Sequence, residues 1–253
     1  MRIDLNADVG ESFGAYQLGD DQALIRCVTS VNIACGFHAG DPGVMRRTVR
    51  LAREAGVAIG AHPGFPDLQG FGRRELNMSP RDIEDAVLYQ IAALAGVAAA
   101  EGTRLHHVKP HGALYNMAAK SSEIAGAVAT GIAAFDRSLI VVGLPDSQLM
   151  DAAARAGLRS AVEAFADRAY RPDGSLAPRH MPGAVIDGPA AVLKRALGLV
   201  RARELTAIDG STISISADTL CVHGDTPNAP AIAAQLRRGL AEAGVIVAPL
   251  DRA

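Results

Sequence analysis

Short apolar runs alternate along the chain with longer segments of helical periodicity. The runs are Ile3–Leu5, Val31–Cys35, Val57–Ala61, Leu105–Val108, Leu139–Leu144, Ala161–Phe165 and Thr219–Val222, with Val245–Val247 as a further candidate. Their apolar positions are continuous rather than alternating, which predicts strands buried on both faces, as in parallel sheets. Helix signals fill the gaps. Asp41 precedes Pro42 as an N-cap before a first-turn proline, Val44, Thr48, Leu51 and Ala55 recur at helical spacing, and Gly56 supplies the stop. Ser79–Pro80 repeats the device, with Asp82 close to a capping-box position and Gly102 at the end. Asn228 and Pro230 open a last helix that carries Ile232, Leu236 and Leu240 on one face and closes at Gly244. Seven or eight units of strand, loop and helix predict a parallel α/β fold, closed as a (β/α) barrel. An open doubly wound sheet is the alternative. No linker, low-complexity tract or repeat divides residues 1–253, so a single domain is expected. The Pro- and Gly-rich stretch Arg171–Gly188 is too long for an ordinary connection and is a candidate lid or binding loop. Thr206–Ser216 reads as a small β excursion.

Composition narrows the classes. Hydrophobic residues make up 49% of the 253 positions, enough for a large core. The formal net charge of −2 leaves no basic field for nucleic acid. Arg46, Arg47, Arg50 and Arg53 share one predicted helix with an apolar opposite face and read as a solvated surface. Three cysteines with no Cys-x-x-Cys spacing argue against a disulfide framework and for a reducing compartment. The opening MRIDLNADVG carries acids where a signal peptide needs an apolar run, and no apolar stretch approaches the roughly 20 residues that span a bilayer. A cytoplasmic protein without membrane contact is expected.

Polar residues gather at one end of each predicted strand. The first is followed by Asn6, Asp8 and Glu11, the second by His38 and Asp41, and the third by His62, Asp67, Arg73 and Arg74. The fourth runs into Lys109 and His111, the sixth into Asp167, Arg168 and Tyr170, and the seventh into His223 and Asp225. In α/β barrels the C-terminal strand ends carry the active site. HHVKPHG, with three of the seven histidines, is therefore a strand running out into a barrel mouth. Alternation along the strand turns His106 away from that mouth. Each residue also has a plain structural reading. A histidine at a strand end makes local hydrogen bonds, Asp41 caps a helix, Gly40, Gly43, Gly64, Gly70 and Gly72 serve turns, and Arg73 and Arg74 pair with acids. Convergence points to chemistry instead, because His38, His62, His111 and His223 follow four different strands at similar depth. No G-x-x-x-x-G-K-[ST], H-E-x-x-H or G-x-S-x-G motif is present. Phosphate would have to be held by glycine-rich turns, helix N-termini and Lys109 or the arginines. Asp8, His38 and His62 are a chemically apt set for a divalent metal that activates water.

The blocks DLNADVGESFG, NIACGFHAGDP, AHPGFPDLQGFGRR, HVKPHGALYN, EAFADRAY and CVHGD lie in order from residue 4 to residue 225. Together they resemble the LamB/YcsF family, across nearly the whole chain and with no block missing. The resemblance implies a (β/α) barrel of about seven strands, similar to the glycoside hydrolase/deacetylase group. It implies the A component of a multisubunit 5-oxoprolinase, which opens the lactam 5-oxoproline to glutamate with release of ADP and phosphate and works with B and C subunits. On that reading Asp8, with His38 or His62, positions and deprotonates water, directly or through a metal. Lys109 and Arg73 bind phosphate or the substrate carboxylate. His111 or His223 protonates the departing ring nitrogen, Glu11 orients one of these groups, and Asn6 and Asp225 contact substrate. The expected cofactors are ATP and a divalent metal, either Mg2+ accompanying ATP or one held by Asp8, His38 and His62. Two rivals stand beside it: a metal-dependent amide hydrolase or deacetylase without ATP, and a non-catalytic lactam- or carbohydrate-binding component. An aromatic content of 4% without tryptophan offers little stacking surface for a sugar.

Overall fold

A computed structural model describes residues 1–178, 181–186, 188–222 and 228–251. Strands β1 (Arg2–Val9), β2 (Ser30–Ala34), β3 (Ala58–His62), β4 (Leu105–Val108), β5 (Ile140–Gly143) and β6 (Arg159–Phe165) follow one another around a parallel sheet. After the antiparallel ribbon β7 (Glu204–Thr206) and β8 (Thr212–Ser214), strand β9 (Thr219–Val222) inserts between β6 and β1. Asp4 pairs with Thr219 on one side of β1, and Asn6 with Ser30 on the other. That closure makes a seven-stranded parallel barrel and excludes the open sheet. The short β10 (Ile246–Val247) adds to the beginning of β1.

Eight helices surround the barrel among the described residues: α1 (Asp21–Ile25), α2 (Pro42–Ala55), α3 (Pro80–Ala100), α4 (Gly112–Lys120), α5 (Ser122–Phe135), α6 (Gln148–Arg155), α7 (Pro189–Ala202) and α8 (Ala229–Glu242). The caps predicted at Asp41 and Ser79 form. Asp41 Oδ1 accepts from Val44 N at 2.8 Å, while its Oδ2 accepts from Gly14 N at 2.9 Å and ties down the loop after β1. Ser79 Oγ accepts from Asp82 N at 3.1 Å. Two expectations need correction. Helix α3 is long and apolar enough to cross a membrane by length and composition. Here Ile83, Val87, Ile91, Leu94 and Ala98 form one buried face within the outer ring. The arginines of α2 are not merely solvated. Arg46 and Arg50 donate to the Glu101 carboxylate at 2.5 and 2.8 Å, and Arg53 donates to the Glu101 carbonyl at 2.9 Å. Together they clamp α2 to the end of α3.

Strand β1 is longer than its apolar run because the barrel interior is polar. Ile3, Leu5, Ala7 and Val9 face the helices, whereas Asp4, Asn6 and Asp8 alternate with them and face inward. At the bottom, Asp4 accepts from Thr29, Ser30 and Thr219 hydroxyls at 2.6–2.7 Å. In the next layer Asn6 Nδ2 donates to Glu163 Oε1 at 3.1 Å and to Thr219 Oγ1 at 2.7 Å. Asn32 Nδ2 donates to Asn6 Oδ1 at 2.8 Å, and His107 Nε2 donates to Asn32 Oδ1 at 2.8 Å. Gly60 makes room for His107, since a Cβ there would lie 2.1 Å from Nε2. His107, not His106, is the inward histidine of β4. The described part of the stretch 171–188 is held by bridges from Arg168 to Val185 and Tyr170 to Leu176, and it forms one wall of the cavity above the barrel.

Candidate active site

The polar layers rise to a cavity of about 1020 Å³ at the C-terminal strand ends. Lys109 lies at its floor. Its Nζ is 2.8 Å from Glu163 Oε1, 3.0 Å from Asp8 Oδ1 and 3.1 Å from Cys221 Sγ. Burial opposes the ammonium charge, but the carboxylates of Asp8 and Glu163 outweigh it and hold the Lys109 pKa well above the usual lysine value. Glu163 also accepts from Tyr115 OH at 2.9 Å. Burial, reinforced by that carboxylate, pushes the Tyr115 phenol well up, so it stays a donor. Burial likewise keeps the Cys221 thiol protonated despite the neighbouring lysine. Asp8 Oδ1 accepts a second bond from Asn32 Nδ2 at 2.8 Å, and Asp8 Oδ2 lies 3.5 Å from His62 Nε2.

Beside this pair stands a buried cluster of Glu11, His38, His62 and His111, whose ligand atoms all lie within 4.8 Å of one another. His62 ends β3 and directs Nδ1 at the Lys109 carbonyl, 2.6 Å away. His111 stands at the N-cap position of α4 and directs Nε2 at the Phe71 carbonyl at 2.8 Å. Its Nδ1 is 3.0 Å from His62 Nε2. His38 stacks on His111 at 3.8 Å between centroids, with 5° between the planes. Neither His38 ring nitrogen has a hydrogen-bond partner among the described residues. Glu11 Oε1 is 3.8 Å from both His38 Nε2 and His111 Nδ1. Burial, then His62, lowers His111 to about 3, and burial with His111 and His62 lowers His38 well below the usual imidazole value. His38 and His111 are therefore neutral imidazoles. Gly112 makes the geometry possible. At φ +56° its backbone approaches so closely that a Cβ would lie 2.5 Å from Gly72 O, and Ala113 N donates to that oxygen at 2.9 Å. This contact sets the Phe71 carbonyl against His111.

Asp8, Glu11, His62, Arg73, Lys109 and His111 all border the one cavity. His38 lies directly behind His111 and is fully buried. Asn6 sits one layer below, within the polar network. Arg73 places its guanidinium 4.9 Å from the Phe71 ring centroid, whereas Arg74 follows the structural reading and donates from Nε to Asp67 at 2.9 Å. His223 and Asp225 lie outside the described residues. The carboxylate of the metal-apt cluster is Glu11, since Asp8 is engaged by Lys109 and Asn32. Three imidazoles and one carboxylate suit a zinc-like cation better than Mg2+, which prefers an all-oxygen shell. Sequence reasoning missed Glu163, Tyr115, Asn32, His107 and Cys221. Glu163 left a signal, because a charge inside an apolar strand must find a buried partner.

Fold and site together define a (β/α)-barrel protein with a buried lysine–carboxylate pair and a histidine cluster at its C-terminal mouth. The chain belongs to the LamB/YcsF family, whose sequence model matches residues 3–253. It is 58% identical over 247 residues to the A component of 5-oxoprolinase from Chloroflexus aggregans, covering 98% of each chain. Among solved structures, the lactam utilization protein from Thermus thermophilus is 50% identical and superposes with a TM-score of 0.94 over 99% of this chain and 100% of that one. A family 4 carbohydrate esterase from Streptomyces lividans shares the fold alone, with a TM-score of 0.52, 10% identity and coverage of 99% and 93%.

Proposed function

We propose that this chain is the A component of an ATP-dependent 5-oxoprolinase, a hydrolase that opens 5-oxoproline to glutamate together with B and C subunits in the cytoplasm. The observation that carries the reading is Asp8, with one oxygen fixed by Lys109 and Asn32 and the other beside His62 on the floor of the cavity. Relatives named for this activity and three free cysteines support it.

A lactam carbonyl is a poor electrophile and needs activation. The γ-phosphoryl group of ATP passes to the lactam oxygen, forming an O–P bond as the P–O bond to ADP breaks. Asp8 takes a proton from a water whose oxygen adds to the ring carbon. The C–N bond then breaks as the nitrogen takes up that proton and the new hydroxyl gives its own proton to the freed amine, becoming the carbonyl of γ-glutamyl phosphate. A second water, deprotonated in the same way, adds to the same carbon and displaces phosphate. Lys109 faces the charge that develops on oxygen, and Arg73 pairs with the substrate carboxylate or phosphate through its guanidinium fork. His111 has Nε2–H committed to Phe71, so the returning proton is assigned to Asp8. A divalent cation on the histidine cluster, when bound, would polarise a carbonyl or a water.

The reading is tested by mixing the purified chain with 5-oxoproline, ATP and the B and C subunits, and following glutamate and phosphate together. Equal amounts of both products, only in the full mixture, are expected. Asp8→Asn should lower turnover about 10²–10⁴-fold. Unchanged turnover in both Asp8→Asn and His38→Ala would remove the assignment. The histidine cluster favours a second reading, metal-dependent amide hydrolysis, and glutamate formed without ATP would establish that one instead.

A further inference from the structure

We propose that His62 Nε2, His111 Nδ1 and Glu11 Oε1, with His38 behind them, form the binding site for one zinc-class transition-metal dication. The count of ring protons points there. A carbonyl oxygen only accepts hydrogen bonds, so His62 Nδ1 and His111 Nε2 must both carry hydrogen to bond Lys109 O and Phe71 O. A neutral imidazole has one N–H, which leaves His62 Nε2 and His111 Nδ1 as bare lone pairs facing each other at 3.0 Å. Two lone pairs at that distance repel unless a cation lies against both. Backbone carbonyls on the far nitrogens are also how metal-binding histidines are oriented and their tautomers fixed.

Distances agree. Tetrahedral zinc with bonds of about 2.0–2.1 Å sets neighbouring ligand atoms roughly 3.3 Å apart. The observed separations are 3.0 Å between His62 and His111, and 3.8 Å from Glu11 to His111 and to His38. His38 gives an independent observation, since its buried ring has no hydrogen-bond partner for either nitrogen among the described residues. Because it stacks parallel to His111, its lone pair converges on the centre only after a ring rotation. The three residues that border the cavity are therefore the core ligands, and His38 is the fourth. Asp8 is outside the set and stays in place to act on water beside it.

The site lies in the cavity of the proposed reaction but is read by metal content, so its failure and the failure of that reaction are separable. The full chain, stripped with chelator, is dialysed against Zn2+ or Co2+ and assayed by elemental analysis and by visible Co2+ absorption. About one equivalent per chain is expected, with the band intensity of a low-coordinate, nitrogen-rich site. His62→Ala and His111→Ala should lose that equivalent, the near-isosteric Glu11→Gln should bind at least tenfold more weakly, and Asp8→Asn should retain it, all with native circular dichroism. No uptake by the native chain would overturn the site and leave a shared proton as the cation between the two rings. Full uptake by the folded histidine variants, or its loss in Asp8→Asn, would overturn the ligand assignment.

Discussion

Lys109 shows how one residue organises the site. Its ammonium joins two carboxylates, Asp8 and Glu163, that are buried within a few ångströms of each other. Removing the cation leaves like charges in a medium that solvates them poorly. Lys109→Met should therefore cost about 3–5 kcal/mol in urea unfolding, the usual penalty for orphaning a buried charge. Adding Glu163→Gln should recover part of that loss, because a single carboxylate then remains; equal stability of native and Lys109→Met chains would contradict the pairing. Lys109, His111, His62 and His38 were legible in the sequence because each interrupts an apolar pattern at a strand end. Asn32 and His107 were not, because they sit inside strands, and Glu163 signalled only that some buried partner exists. Their partners depend on register, such as Glu163 beside Thr219, which local hydropathy does not encode.

At the level of elements, the helix caps were readable because Asp41 and Ser79 act within four residues of themselves. The clamp of α2 onto α3 was not, since Arg46 and Arg50 meet Glu101 about fifty positions away. Hydrogen bonds from Arg50, then Arg46, hold the Glu101 carboxyl down at about 2 from an ordinary 4.5. A depressed carboxyl pKa contributes stability that is complete above the unfolded value and is lost as pH falls through the folded one. Glu101→Gln should thus lower the thermal unfolding midpoint at neutral pH, and its difference from the native chain should shrink as pH falls from 4.5 to about 2. A difference independent of pH across that window would rule out the ion pairs as its source. The length of β1 was also hidden. Its apolar run ends at Leu5, but the strand continues to Val9 because Asn6 and Asp8 face a polar interior rather than solvent.

Across the whole molecule, seven repeats of strand and helix were enough to predict a barrel, while its closure depended on β9 reaching β1 from the far end of the chain. The same long-range arrangement encloses the cavity, whose walls come from segments as distant as 144–147, 171–178 and 212–215. Such an enclosure suits a reaction in which an activated intermediate must meet one chosen water at a time. In the proposed reaction the lactam oxygen is phosphorylated and water attacks the ring carbon under the control of Asp8. That sequence of events is tested most directly with 5-oxoproline labelled with ¹⁸O at the lactam carbonyl, turned over by the assembled subunits with ATP. The label is expected to leave with inorganic phosphate, and both γ-carboxylate oxygens of glutamate to come from water. Label retained wholly in glutamate, with phosphate drawing its new oxygen from water, would contradict it.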